Sequence, residues 1–262
     1  MNYLNKRVII VGPAEYLLKS NNKDFIDSFD IVIRIKSGYP VPKKYINNLG
    51  SKTNIIYSNL VPIRNNFTRN NLKEINKNNI IIKYPFPILK HCEYYDLDLN
   101  KHILDLYINF CNYYKKINYI KKKIYLKIFN KLKKRPSILI LILEDILKDN
   151  PMELYITGFT FRLNWINNNN NYNNLNDKSY GDYYRDKQTI IQSFNGINKY
   201  SVHNLREEFK YIKELILKNN IKYDDEIKEI LKIKDQRLKL YYLLYLYLDL
   251  NQKSLLINVN YH

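Results

Sequence analysis

The chain has 262 residues, 45% of them hydrophobic, and carries a formal net charge of +18 from 43 Lys and Arg against 25 Asp and Glu. That length supports one large α/β domain with a core of its own. It excludes a membrane-spanning helix on hydropathy: apolar runs such as residues 138–143 are far short of the roughly 18 residues a span needs.

The charge is spread over a sequence rich in Lys, Asn, Ile and Tyr, and nine of the 43 basic residues are Arg. Nucleic-acid readers favour Arg for its forked donors, so a nucleic-acid partner is not expected, although a basic field attracts any polyanion. Cys92 and Cys111 lie outside any metal-type spacing and read as reduced thiols. Residues 1–6 are polar and lack the pattern of a secretory leader, so the expected setting is soluble and cytoplasmic.

Residues 7–11 are apolar and β-branched and end at Gly12-Pro13, which predicts a buried first strand and a turn. Residues 14–19 open a helix. Strands are expected at 30–34, 54–57 and 79–83. Residues 100–134 follow a helical pattern through Ile103, Leu106, Ile108 and Phe110, then Ile117, Ile120, Ile124 and Ile128. Arg135-Pro136-Ser137 interrupts it, and Ser137 is placed to cap a largely buried helix over 138–149. Residues 153–157 form a strand that ends at Gly158. Residues 167–178 are an Asn-rich loop with no assigned structure. Leu205, Phe209, Ile212 and Ile216 share one helical face, with Asn204 and Glu207 as a capping pair. Residues 224–250 read as helical and 255–259 as an edge strand. Strand, helix and strand in this order predict a Rossmann-like, mostly parallel sheet flanked by helices.

Four features carry chemistry. Gly12 ends a strand where a backbone can approach a ligand closely. Arg34 ends the second strand, with Lys36 two residues on, and basic groups there suit a nucleotide phosphate. Gly50-Ser51-Lys52-Thr53 has the letters of a P-loop end but precedes a strand, so an ATPase is rejected. His203 sits just before a capped helix, whose positive end disfavours imidazolium and keeps the ring a neutral base. His91, His102 and His262 have no comparable setting. Asp96 and Asp98 read as a solvated turn, and no cluster has metal-ligand spacing.

These pieces resemble the sialyltransferases, most closely the eukaryotic-type group with its long and short sialyl motifs. The long motif corresponds to residues 8–12, 30–34 and 50–53, the short motif to residues 135–159, and the last motif to His203 with Glu208. The resemblance implies a single domain over 1–262 with a variant of the GT-A-like fold. It implies an inverting, metal-independent glycosyltransferase that needs no cofactor. The donor would be a nucleotide sugar, CMP-sialic acid in the family, and the acceptor a glycan hydroxyl. His203 would be the catalytic base. Gly12, Pro13, Arg34, Lys36, Ser137, Gly158, Phe159 and Tyr183 would line the donor site. The chain departs from the family at Pro13 and Lys36, where Asn is usual, and at Ile138-Leu139, where Ser/Thr-Gly is usual. A catalytically degenerate glycan- or nucleotide-binding protein is therefore an alternative. A basic nucleic-acid-binding protein, whose affinity would fall steeply with salt, is another.

Overall fold

The computed structural model describes residues 2–58, 69–84, 117–161, 204–234 and 236. Among the described residues, seven strands form one sheet: β1 Arg7–Val11, β2 Ile31–Ile35, β3 Ile55–Tyr57, β4 Ile81–Tyr84, β5 Ile117–Tyr119, β6 Glu153–Thr157 and β7 Lys222–Tyr223. Their spatial order is β5-β4-β3-β2-β1-β6-β7, and every pairing is parallel. The chain thus builds outward from β1 in one direction, then returns to its other side with β6 and β7. This is the doubly wound α/β class.

The strands are runs of Ile and Val because helices cover both faces, which removes the polar alternation of a half-exposed sheet. One face carries α4 Lys122–Leu132, α5 Ile138–Leu147, α6 Leu205–Lys218 and α7 Asp225–Leu231. Val8, Ile10, Ile33 and Ile55 pack there with Ile128, Ile140, Ile212 and Ile227. The other face carries a 3-10 turn at Glu15–Lys19 and the short helices α1 Lys23–Asp27 and α2 Ile46–Leu49. Ile9, Val11 and Val32 pack there with Leu17, Ile26 and Leu49. A further helix, α3 Arg69–Lys77, precedes β4. α5 is apolar almost all round, with Leu139 to Leu143 all buried. Such a helix is stable only when enclosed, and each buried Ile or Leu contributes up to roughly 1.5–3 kcal/mol.

Several expectations are corrected. Residues 117–119 are a strand, not part of a long helix. Ile117 and Ile120 share a helical face, but the β-branched and aromatic side chains around them also fit an edge pairing with β4. Of the helix expected over 224–250, the described part runs from Asp225 to Leu231, with a strand at Lys222–Tyr223 before it, and residues 237–250 lie outside the described residues. Residues 14–19 form a 3-10 turn instead of an α-helix. The Asn-rich segment 167–178 and the edge strand 255–259 lie outside the described residues.

Candidate active site at the carboxyl edge of the sheet

In an open doubly wound sheet, ligands bind beyond the carboxyl ends of the strands, where the direction of winding reverses. Here that point lies between β1 and β6, whose ends are Gly12 and Gly158. Gly12 N–H donates to Thr157 O at 2.7 Å, and Ala14 N–H donates to Gly158 O at 3.0 Å. A Cβ on Gly12 would sit 2.2 Å from Gly158 O, and one on Gly158 would sit 2.7 Å from Gly12 O. Gly158 also has a left-handed φ of +78°. The expectation that Gly12 clears space for a ligand is corrected. Its missing side chain lets two strand ends touch, and it is itself buried.

A carboxylate not singled out from the sequence closes this junction. Asp224 follows β7 and caps α7, its Oδ1 accepting Ile227 N–H at 2.9 Å. Its Oδ2 accepts the hydroxyls of Tyr16 and Thr157, each at 2.6 Å. Tyr16 Oη in turn accepts Gly158 N–H at 2.8 Å. Burial, then the Asp224 charge, drive the Tyr16 phenol far above its ordinary range. It therefore remains a donor at any physiological pH. The available signal was Asp224 itself, an N-cap residue ahead of the acidic pair Asp225 and Glu226.

Arg34 is also corrected. It is fully buried and lies on the face that packs α2. Its Nη2 donates to the carbonyls of Leu49 at 2.8 Å, Gly50 at 3.1 Å and Lys52 at 3.1 Å, and its Nε donates to Thr53 Oγ1 at 2.9 Å. Asp27 takes the opposite half of the same loop. It accepts Ser51 N–H at 3.0 Å and Lys52 N–H at 2.9 Å. Burial works to raise the Asp27 pKa, but those two backbone donors, the Ser51 hydroxyl and the Arg34 charge together outweigh it and hold the carboxyl below its ordinary range. The Gly50-Ser51-Lys52-Thr53 tetrad is thus an internally clamped loop, with cation on carbonyls and carboxylate on amides.

Lys36 does not continue the pleat beside Arg34. It starts a 3-10 turn, Lys36–Gly38, with φ +49°, and is half-buried at the carboxyl edge. An Asn tolerates that left-handed backbone better than a Lys. Pro13 is half-buried beside Gly12.

Ser137 precedes α5 as expected, but its hydroxyl makes no capping bond. Its backbone N–H instead donates to Glu208 Oε1 at 2.9 Å. Glu208 is buried, so α6 reaches across and places a carboxylate at the positive end of α5. Asn204, the residue after His203, caps α6 by accepting Glu207 N–H. α5 runs down to the amino edge, where Asp149 Oδ2 accepts Tyr3 N–H and Pro151 bridges to Leu4. Its first turn, with Ser137 and Glu208, therefore belongs to the carboxyl edge. Phe159 is buried and stacks on Phe161, which meets Phe209 edge-on at 5.6 Å. Its ring belongs to the core, correcting its reading as a donor contact. His203 and Tyr183 lie outside the described residues, as do Cys92, Cys111, Asp96 and Asp98.

The edge therefore brings together Gly12, Pro13, Lys36, Gly158 and the first turn of α5, while the Arg34 side chain turns away beneath it. A doubly wound sheet with its glycines at the switch point defines the class of α/β proteins that take ligands at this crevice. The model of glycosyltransferase family 29 (sialyltransferase) matches residues 2–92. That segment contains every residue of the long motif, so the likeness of this chain to the family is carried by residues 2–92. No curated protein matches in sequence. Among solved structures, the chain is similar to a mammalian sialyltransferase at 18% identity, over 84% of this chain and 69% of the other, with a TM-score of 0.47. It is also similar to the α-2,3-sialyltransferase from Campylobacter jejuni at 17% identity, over 76% of this chain and 73% of the other, with a TM-score of 0.39.

Proposed function

We propose that this chain is an inverting, metal-independent glycosyltransferase that moves sialic acid or a related sugar from a CMP-linked donor to a glycan hydroxyl. The observation that supports this most is the order of the motif residues along one edge. Gly12-Pro13 and Lys36 from the matched segment share that edge with Gly158 and the Ser137–Glu208 junction from the short and last motifs. His203 is the general base in this reading, with the residue after it opening α6. Backbone N–H groups and lysines along the edge stabilise the departing phosphate. Fixed donors and charges aimed at developing negative charge usually contribute most of the rate enhancement in such sites.

A second reading is a binder without turnover. The first turn of α5 favours it: Leu139 is buried, and the Ser137 N–H is already given to Glu208. Both features close a helix end that a donor would otherwise use.

The deciding experiment is transfer from CMP-sialic acid to a galactoside, with calorimetric affinity for CMP, UMP and GMP beside it. The expected outcome is transfer that EDTA leaves unchanged. In His203→Ala, transfer falls by about 10²–10⁴-fold while CMP affinity holds. CMP binding without transfer in the wild type selects the second reading. Loss of activity in EDTA, restored by manganese, removes the metal-independent mechanism.

A further inference from the structure

Helix α4 and its flanks present a surface that neither the edge site nor the fold requires. Residues 121–135 contain eight basic side chains and no acid. Lys121, Lys122, Lys123, Lys133 and Lys134 are exposed and make no ion pair with any described residue, whereas Lys127 and Lys131 are paired with Glu144 and Glu214. The other described helices of eight residues or more all mix acids into their faces, as Glu74 does in α3, Glu144 in α5 and Glu214 in α6. α4 alone among them does not. Its first turn also carries lysines where the helix dipole disfavours cations. A broken local rule with no structural return points to function.

We propose that this lysine face docks the protein on an anionic lipid surface. The apolar side of α4, Ile124, Tyr125, Ile128 and Leu132, is buried in the core, so the helix offers charge without insertion. Its cations span roughly 20 Å, from the helix rise. All are lysines except Arg135, which is buried. Ammonium groups are point charges without the directed fork of Arg. No exposed aromatic residue lies on α4 to stack on bases, as single-stranded nucleic acid requires. An array of undirected cations matches headgroups that rearrange beneath it. Among the described residues no helix is long and apolar enough to cross a membrane, so attachment at this face would be peripheral and reversible by salt.

The test is co-sedimentation of the full chain with phosphatidylcholine vesicles, with and without 30% phosphatidylglycerol. Each lysine near such a surface is worth about fivefold in partitioning at low salt. The wild type is expected to bind the anionic vesicles at 50 mM salt, to leave them at 500 mM, and to ignore the neutral ones. Replacing Lys122, Lys123, Lys133 and Lys134 by Gln should weaken binding at least about 30-fold. Replacing Lys6, Lys19, Lys73 and Lys77 by Gln removes the same charge elsewhere and should change it less than about threefold. Equal loss in both variants makes net charge the cause and overturns the proposal. So does a wild type that ignores anionic vesicles but is retained by soluble heparin. Lysine acetylation read by mass spectrometry gives a check on the unmutated protein. Vesicles should protect Lys122, Lys123, Lys133 and Lys134 more than Lys73 and Lys77, and equal protection counts against the face.

Discussion

A methyl group on Gly12 would meet the carbonyl of Gly158 at 2.2 Å, and the obstacle is backbone. The two strand ends would have to separate. Gly12→Ala is therefore expected to cost roughly 2–4 kcal/mol. Gly158→Ala should be comparable, since its clash adds to a left-handed backbone. Gly50→Ala meets the Asp27 side chain at 2.5 Å, which can swing away at the loss of its loop contacts, but its φ of +69° adds backbone strain that no side-chain movement relieves. Urea unfolding of the three variants measures these costs, and a fully stable Gly12→Ala would show that the strand ends do not meet. Arg34 makes the same point at the next strand. Its chemistry suits a phosphate, but four protein oxygens already occupy it.

At the scale of elements, the polar link between α5 and α6 rests on two carboxylates. Glu208 accepts Ser137 N–H, and further along the same pair Tyr211 bonds to Glu144. The burial of Tyr211, then its bond to Glu144, push that phenol above its ordinary range. Glu208→Gln keeps an acceptor for Ser137, while Glu208→Ala leaves a helix-end amide without one. The alanine variant is expected to be about 1–2 kcal/mol less stable than the glutamine variant, by thermal or urea unfolding. If His203 acts from the mouth of α6, both variants should also lower kcat more than they raise the KM for the donor. The spacing of His203 and Glu208 thus acquires a physical sense: Glu208 anchors the helix that follows His203.

Across the whole molecule, a polar cluster sits inside the apolar core under α5. Lys83 Nζ donates to Asp145 Oδ2 at 2.7 Å and to Tyr3 Oη at 3.0 Å, and Tyr57 donates to the same carboxylate oxygen at 2.7 Å. All four side chains are buried. Burial lowers the Lys83 pKa despite its anionic partner. Burial works to raise Asp145, but the Lys83 charge and the hydrogen bonds outweigh it and hold the carboxyl below its ordinary 3.8. The unfolded chain then takes up this proton first. The stability from Asp145 is complete above about pH 4 and is lost as pH falls through the depressed folded value. Removing one partner strands a buried charge, so Asp145→Leu is expected to cost about 3–5 kcal/mol at pH 7. The pair Lys83→Met with Asp145→Leu should recover most of that loss and flatten the dependence of stability on pH below 5. Unfolding midpoints of the three proteins from pH 2 to 7 measure both effects. A double variant no better than the single one would mean that the cluster holds through its tyrosines.

The sequence by itself determined the strand-helix alternation, because a parallel sheet covered on both faces must be written in runs of Ile and Val. It also placed the glycine turns and the start of α6, since close backbone approach at Gly12, φ above zero at Gly158 and capping at Asn204 restrict which residues can stand there. The order of the motifs, and with it the likeness to the family model over residues 2–92, was legible for the same reason. Only the tertiary structure decided what each polar side chain serves. Arg34 at a strand end reads as a phosphate ligand until α2 is packed against it. Glu208 reads as the motif partner of His203, and its bond to the first turn of α5, 71 residues away in sequence, appears only in the fold. Asp224 is legible as an N-cap, but its bonds to Tyr16 and Thr157 are not, because those partners are 208 and 67 residues distant. Local pattern reports which backbone a residue prefers. Hydrogen-bond partners so far apart in sequence are set by the order in which the strands assemble.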